Sequence, residues 1–96
     1  MTSDEERRKE LGTLLRARRE QLDRADYGLP PGTRGRTKGL RREEVSYLSG
    51  VSVTWYTWLE QGRRIGISVD FVANLCATLK LDPVEAQYLT DLVREC

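Results

Sequence analysis

The apolar residues of this chain recur every three or four positions, and no stretch shows the strict alternation of a β-strand. Ser3 and Glu6 have the spacing of a capping box, in which each side chain binds the backbone N–H of the other residue. The apolar positions that follow predict a first helix over about residues 4–22, with an inner face formed by Leu11, Leu14, Leu15 and Leu22.

Two short helical patterns, separated by a glycine, occupy the middle of the chain. The first is expected to start near Leu40 and to stop at Gly50, with an apolar side formed by Leu40, Val45 and Leu48. The second should begin after Ser52, a favourable N-cap residue, and end near Glu60, with Gly62 just beyond its end.

The C-terminal third carries two further helical patterns. Ser68 can cap a fourth helix, whose apolar residues are Phe71, Val72, Leu75, Cys76 and Leu79. Asp82, Pro83 and Glu85 form a strong start for a fifth helix, whose apolar face is Val84, Tyr88, Leu89, Leu92 and Val93. Residues 23–39 contain adjacent prolines and several glycines without periodicity, which predicts a loop. These patterns together predict a single all-α domain of five helices over residues 1–96.

The composition narrows the classes of function. The chain has no histidine and only two cysteines, Cys76 and Cys96, so we expect no metal site and no cofactor. It also lacks a nucleophile beside a base and a glycine-rich phosphate loop, and an enzyme is therefore not expected. The apolar runs are far shorter than the roughly 20 residues that cross a bilayer. No apolar stretch typical of a secretory signal follows the first residues, which favours a cytoplasmic protein.

The net charge of +1 hides an uneven distribution. Residues 34–64 carry seven basic and three acidic side chains, whereas residues 65–96 carry two basic and five acidic ones. Localised positive charge on a nearly neutral protein favours a surface that faces a polyanion, although a merely solvated face can have the same composition.

Two short helices joined by a glycine-containing turn are typical of the helix-turn-helix, whose second helix lies in the major groove of DNA. This spacing also occurs in other helical domains. The residues on either side of the turn indicate a particular family more specifically. GLRREEVSYLSGVSVTWYTWLEQGR (residues 39–63), LRARRE (15–20) and PPGTRGRT (30–37) together resemble the phage repressor and Cro (XRE) family, and within it the MmyB-like bacterial transcription regulators. The resemblance covers nearly the whole chain and implies a five-helix bundle of the lambda-repressor-like DNA-binding type.

The resemblance also implies a role for individual residues. Base edges would be read from the outer side of the third helix by Val53, Thr54 and Trp58. Phosphates would be bound at the start of the second helix, along the third and in the loop after it, by Arg41, Arg42, Ser52, Thr57, Arg63 and Arg64. Two of these residues also have a purely structural interpretation, since Ser52 is a sufficient N-cap by itself and Trp58 can pack under the loop that follows its helix.

Two further groups belong to the same comparison. Arg34, Arg36 and Lys38 are either a phosphate clamp or minor-groove arm, or a solvated loop. Arg19 and Glu60 align with a structural ion pair that ties the end of the first helix to the end of the recognition helix. We therefore interpret Glu60 as part of the scaffold.

The chain departs from its relatives at Trp58, in the segment RRIGISVD (residues 63–70) and in its length. Trp58 stands where relatives often have arginine, so base preference cannot be transferred. MmyB-like regulators usually continue into a C-terminal ligand-sensing domain, whereas this chain stops at Cys96, as an excised module or a natural single-domain member would.

The expected partner is double-stranded DNA at the bacterial nucleoid, with an operator of two half-sites bound by a weak homodimer. The fifth helix supplies the expected self-association surface, formed by Tyr88, Leu92 and Val93. The alternative is an antitoxin-type regulator or an adaptor that uses the same fold to bind a protein.

Overall fold

Helices form most of the described part of the chain, which in this computed structural model comprises residues 3–30, 39–66 and 68–94. The five α-helices are α1 Asp4–Gln21, α2 Arg42–Ser49, α3 Val53–Glu60, α4 Val69–Thr78 and α5 Pro83–Arg94. A short 3-10 helix spans Arg24–Tyr27. No described residue lies in a strand. The expected all-α fold of five helices is therefore confirmed.

Local side-chain caps explain where four of the helices begin. The hydroxyls that precede α1, α3 and α4 each accept a backbone N–H three residues on, at Ser3, Ser52 and Ser68. At the start of α5, the Asp82 carboxylate accepts the N–H of Glu85 at 2.8 Å, and the Glu85 carboxylate accepts the N–H of Asp82 at 2.9 Å. Each cap satisfies backbone donors that would otherwise lack a partner, which fixes the first turn.

Helix α2 begins two residues later than expected, because Leu40 is used for packing. Its side chain is fully buried, and its N–H donates to the carbonyl of Arg19 at 3.0 Å, which holds it outside the helix. Arg41 then takes the extended N-cap conformation, with its N–H bound by the Glu44 carboxylate at 2.7 Å.

The loop expected over residues 23–39 is partly helical. Asp23 caps the 3-10 helix by accepting the N–H of Ala25 at 3.0 Å, and Gly28 ends it with a φ of 68°. A single 3-10 turn is too short to produce apolar periodicity, so the sequence pattern did not reveal it.

The core lies where the five helices meet. Helix α1 packs on α3 and α5, α2 packs on α3 and α4, and α4 packs on α5. The buried apolar residues are Leu11, Leu15, Leu22, Leu40, Val45, Val51, Tyr56, Leu59, Val72, Leu75, Leu79, Leu89, Leu92 and Val93. Helix α3 is consequently held by α1 and α2, which determines which of its faces reaches solvent.

Three residues assigned to the inner faces by periodicity are exposed instead. Leu48, Phe71 and Val84 are 37%, 44% and 79% exposed. In α2, the inward position of the last turn is taken by Ser49, whose hydroxyl donates to the carbonyl of Val45 at 2.7 Å. Phe71 and Val84 lie in the first turns of α4 and α5, and the buried positions of both helices begin further along.

The expected self-association surface on α5 is wrong. Leu92 and Val93 are buried in the protein's own core, and Tyr88 is partly buried against that core. The physical reason is that α5 packs against both α1 and α4, so most of its apolar face is covered by its own chain.

Candidate nucleic-acid interface

The turn between α2 and α3 is fixed by glycine geometry and hydrogen bonds. Gly50 has a φ of 78°, a left-handed conformation that favours glycine, and its N–H donates to the carbonyl of Ser46 at 2.9 Å. The Ser46 hydroxyl in turn donates to the carbonyl of Val51, whose side chain is buried. The two helices therefore cross in a defined orientation.

Helix α3 divides into a buried and an open face. Tyr56 and Leu59 are buried, as expected from their spacing. Val53 and Thr54 are exposed and Thr57 is half-buried. The open face thus carries methyl and hydroxyl groups and no charged side chain. Such groups can contact thymine methyls and hydrogen-bond base edges.

Ser52 stands at the start of this face. Its hydroxyl oxygen accepts the N–H of Trp55 at 3.0 Å, and the residue is exposed. A hydroxyl that accepts one bond still has a proton to donate, so the same residue can cap α3 and donate to a phosphate oxygen.

Trp58 is partly exposed, as a base-contacting residue would be, and also contacts the loop after α3, as a scaffold residue would. It is 37% exposed, and the Arg63 guanidinium lies over its ring at 5.4 Å from the centroid. The carbonyl of Trp58 also accepts the N–H of Arg63 at 3.0 Å. Cation–π stacking on an indole is favourable, which positions Arg63 beside the open face of α3. Arg64, the next residue, is exposed.

Glu60 is the last residue of α3, and its carboxylate links α3 to α1 and α2. It is 1% exposed and accepts bonds from Arg19 Nε at 2.6 Å and Nη2 at 3.0 Å, which is the ion pair that the family resemblance implies. It also accepts a bond from Arg42 Nε at 3.1 Å, which was not expected. A third nitrogen of Arg19 donates to the carbonyl of Leu40 at 3.0 Å. We call Arg19, Arg42 and Glu60 the Glu60 cluster.

Charge and burial oppose each other in this cluster. Burial alone would raise the pKa of Glu60, but the hydrogen bonds from Arg19 and its other neighbours outweigh burial and hold the pKa below its ordinary value. Glu60 is therefore ionised at neutral pH. Burial, and then the neighbouring Glu60 carboxylate, raise the pKa of the Tyr56 hydroxyl, which stays protonated.

The start of α2 presents two adjacent arginines. Arg41 is exposed, whereas Arg42 is half-buried because its Nε is bound by Glu60. The terminal nitrogens of Arg42 bind none of the residues 3–30, 39–66 and 68–94. Guanidinium donors next to the backbone N–H groups of a helix N-terminus are suited to a phosphate.

Comparison with known proteins agrees with this geometry. Residues 10–89 match the family model of the helix-turn-helix domain. The chain belongs to the helix-turn-helix domain family. No curated protein and no solved structure matches it. Membership indicates DNA as the general partner of this helix-turn-helix domain, and an all-helical type that is typically not an enzyme.

The helix-turn-helix domain contains another largely buried ion pair that the sequence analysis missed. Arg24 binds the Glu44 carboxylate through two nitrogens, both at 2.6 Å. The same guanidinium donates to the carbonyl of Pro30 at 2.6 Å and to that of Gly39 at 3.2 Å. The hydrogen bonds from Arg24 lower the pKa of Glu44, so this carboxylate is charged at neutral pH. Nothing in the sequence singled out Arg24, because it lies in a segment without periodicity.

Two glycines that sequence reasoning passed over mark close backbone contacts. A Cβ on Gly12 would lie 2.2 Å from the carbonyl oxygen of Glu60, and one on Gly39 would lie 2.3 Å from that of Arg19. A glycine inside a helical pattern destabilises the helix by about 1 kcal/mol relative to alanine. Its presence is therefore a weak sign that another segment packs closely against it.

Three of the residues expected to contact DNA, Arg34, Arg36 and Lys38, lie outside the described residues. Within the described ranges, no group of three histidine, cysteine, aspartate or glutamate residues could hold a metal ion. No helix in these ranges is both long and apolar enough to span a bilayer.

Proposed function

We propose that this helix-turn-helix domain is a bacterial transcriptional regulator that reads a specific sequence of duplex DNA with α3 in the major groove. The observation that carries the proposal is the uncharged open face of α3, flanked by arginines at the start of α2 and after the end of α3. Phosphate contacts position a protein on DNA and base contacts specify its site, so this distribution suits sequence-specific binding. The resemblance to MmyB-like regulators of the XRE family supports the same reading.

The proposal gives the two sets of residues different tasks. Val53, Thr54 and Trp58 contact base edges. The phosphates are bound by Arg41, Arg42, Ser52, Thr57, Arg63 and Arg64. Arg42 binds phosphate through its terminal nitrogens while Glu60 holds its Nε.

Selection of bound fragments from the source genome tests this function directly. Enrichment of a common sequence motif supports specific reading, and the absence of enrichment overturns it. Fluorescence anisotropy on the selected duplex then follows affinity against salt. The logarithm of the binding constant should fall with the logarithm of salt concentration by about 0.9 per phosphate contact. Affinity that does not change with salt would contradict the proposed phosphate contacts.

Arg64→Gln separates phosphate contacts from base contacts. Arg64 is exposed, and its loss should weaken binding to the selected and a scrambled duplex equally, with the salt slope reduced by about 0.9. Arg16→Gln is the matched control, since Arg16 is an exposed arginine of α1 paired with Glu20 at 3.3 Å. Equal losses for the two variants would indicate a general charge effect.

We further propose that two copies of the domain bind an operator with two half-sites at the bacterial nucleoid. A two-fold arrangement places half-sites about one helical turn apart. Sedimentation on duplexes with one and two half-sites measures the stoichiometry. Binding of a single copy to the two-half-site duplex would show that the domain acts as a monomer.

A further inference from the structure

Arg8 of α1 and Arg63, which follows α3, line the same small cavity. Its remaining walls are apolar and come from Leu11, Leu59, Ile65, Leu92 and Val93. The cavity volume is about 10 Å³, close to the minimum that holds one water molecule. An organic ligand cannot enter it. The charged residues that line it are Arg63, which is exposed, and Arg8, which is half-buried.

The chain holds both arginines near the end of the recognition helix. Arg8 Nε donates to the carbonyl of Gly62 at 3.3 Å, and Gly62 directly precedes Arg63. The Arg63 guanidinium lies over the Trp58 ring. A Cβ on Gly62 would lie 2.9 Å from Cγ of Lys9, so the turn after α3 rests directly on α1. Helix α1 thus contributes to the surface beside α3.

Neither arginine has an acidic partner within residues 3–30, 39–66 and 68–94. The ion pairs of that part of the chain involve other basic residues, including Arg7, Arg16 and Arg18 of α1. Both cationic side chains are anchored at the turn after α3, Arg8 through the carbonyl of Gly62 and Arg63 over the Trp58 ring, so donors from both are available to one anion at this turn.

We propose that Arg8 and Arg63 together bind one phosphate group of the DNA backbone, beside the end of the recognition helix. This inference rests on the proposed function and adds a contact from α1, an element to which neither the sequence nor the family gave a role in DNA binding. The ligand is a phosphodiester because a duplex bound along α3 carries phosphates on either side of the groove. Arg8 contributes a directed donor and Arg63 contributes a cation already oriented by Trp58.

A double-mutant cycle tests the shared phosphate. Arg8→Gln, Arg63→Gln and the double variant are titrated against the selected duplex and a scrambled duplex at several salt concentrations. Each single variant should bind both duplexes about tenfold more weakly, as expected for the loss of a hydrogen bond to a charged group. The double variant should lose clearly less than the product of the two single losses, because either substitution already removes most of the shared contact.

Arg7→Gln is the matched control, because it removes the same charge from the adjacent position of α1, where Arg7 lies 3.8 Å from Asp4. It should change affinity less than about twofold, the range of a surface substitution outside any site. An equal effect of Arg7→Gln and Arg8→Gln would overturn the inference, as would losses that multiply fully in the double variant.

Arg8→Lys guards against a structural explanation, since Arg8 also bonds to Gly62. The lysine keeps the charge, so the salt slope should remain near that of the wild type, whereas Arg8→Gln should lower it by about 0.9. An equal loss of slope in both variants would show that Arg8 acts through the fold.

If the wild-type domain binds no duplex, the proposed function fails. If it binds and Arg64→Gln weakens it while Arg8→Gln does not, only the present inference fails.

Discussion

The two ends of α3 are built in opposite ways. At its C-terminal end, which we call the inner end, the Glu60 carboxylate is buried and bound by two arginines. The backbone carbonyl of Glu60 also lies close to Gly12 of α1. At its outer end, Ser52 makes a single cap bond, and Val53 and Thr54 are open to solvent. The inner end fixes the orientation of the helix, and the outer end keeps its side chains available. Substitutions at the two ends should therefore affect different measurements.

Glu60→Gln should be the most damaging change at the inner end. It leaves Arg19 buried without a compensating charge, which typically costs about 3–5 kcal/mol in the free energy of unfolding. Urea unfolding measures the loss. The matched control is Glu43→Gln on the exposed side of α2, for which a change within about 0.5 kcal/mol is expected. Similar losses in both variants would mean that the Glu60 cluster does not hold α3 in place.

Acidification should weaken both the Glu60 cluster and the Arg24–Glu44 ion pair by protonating their carboxylates. The pKa of Glu60 and that of Glu44 lie below the ordinary value of 4.5 in the folded chain, so the unfolded chain binds more protons. The stabilisation is complete above that ordinary value and is lost as the pH falls through the lowered folded values. Urea unfolding between pH 7 and pH 3 should show this decline. In Glu60→Gln the decline should be shallower, and an unchanged slope would contradict the assignment.

Gly12→Ala tests the close contact between α1 and the Glu60 carbonyl, because the contact decides whether the free energy of unfolding rises or falls. Alanine in place of a helical glycine normally stabilises by about 0.5–1 kcal/mol. Here the new Cβ would lie 2.2 Å from the backbone oxygen of Glu60, and overpacking of this kind costs about 1–3 kcal/mol. Thr13→Ala, at the next and exposed position, is the control. Stabilisation by Gly12→Ala would show that α1 and α3 can separate freely.

Trp58→Ala should act on the open face of α3, where it also removes the ring beneath the Arg63 guanidinium. A base-contacting Trp58 predicts a loss of discrimination of about 1–3 kcal/mol at one or two base pairs, with the melting temperature nearly unchanged. Trp55→Ala is the contrasting variant, because Trp55 is packed against the core and its loss should destabilise the fold by on the order of 3 kcal/mol. If Trp58→Ala instead lowers the melting temperature by several degrees with base preference intact, Trp58 belongs to the scaffold.

Ser52→Ala and Ser68→Ala should cost the fold equally and the DNA complex unequally. Both hydroxyls cap a helix by accepting an N–H three residues on, and removing such a cap costs about 1 kcal/mol. Only Ser52 lies at the outer end of α3, so only Ser52→Ala should weaken DNA binding beyond its effect on folding. Equal DNA affinities of the two variants would show that Ser52 caps α3 and does not contact DNA.

Features set by neighbours in sequence were predicted well. The serine caps, the start of α5 at Asp82 and the end of α2 at Gly50 depend on residues within one turn, so the local pattern contains them. The exposure of Phe71 and Val84 depends on how far a neighbouring helix extends, which periodicity does not record.

Contacts between distant segments were predicted poorly from residues alone. Arg24 and Glu44 are twenty positions apart, and only folding brings them together. The resemblance to a known family supplied the Arg19–Glu60 pair, but not the bond from Arg42 to the same carboxylate. The apolar face of α5 was recognised, yet its covering by α1 and α4 was not, which led to the wrong self-association surface.

The bonds of Arg24 have a consequence for protein engineering. One guanidinium binds the carbonyls of Pro30 and Gly39, so the segment between them starts and ends at a fixed base. When the ends of a loop are already held together, each doubling of its length adds only about 0.6 kcal/mol of closure entropy. As long as Arg24 holds Pro30 and Gly39 in place, a change in the number of residues between them therefore costs little closure entropy.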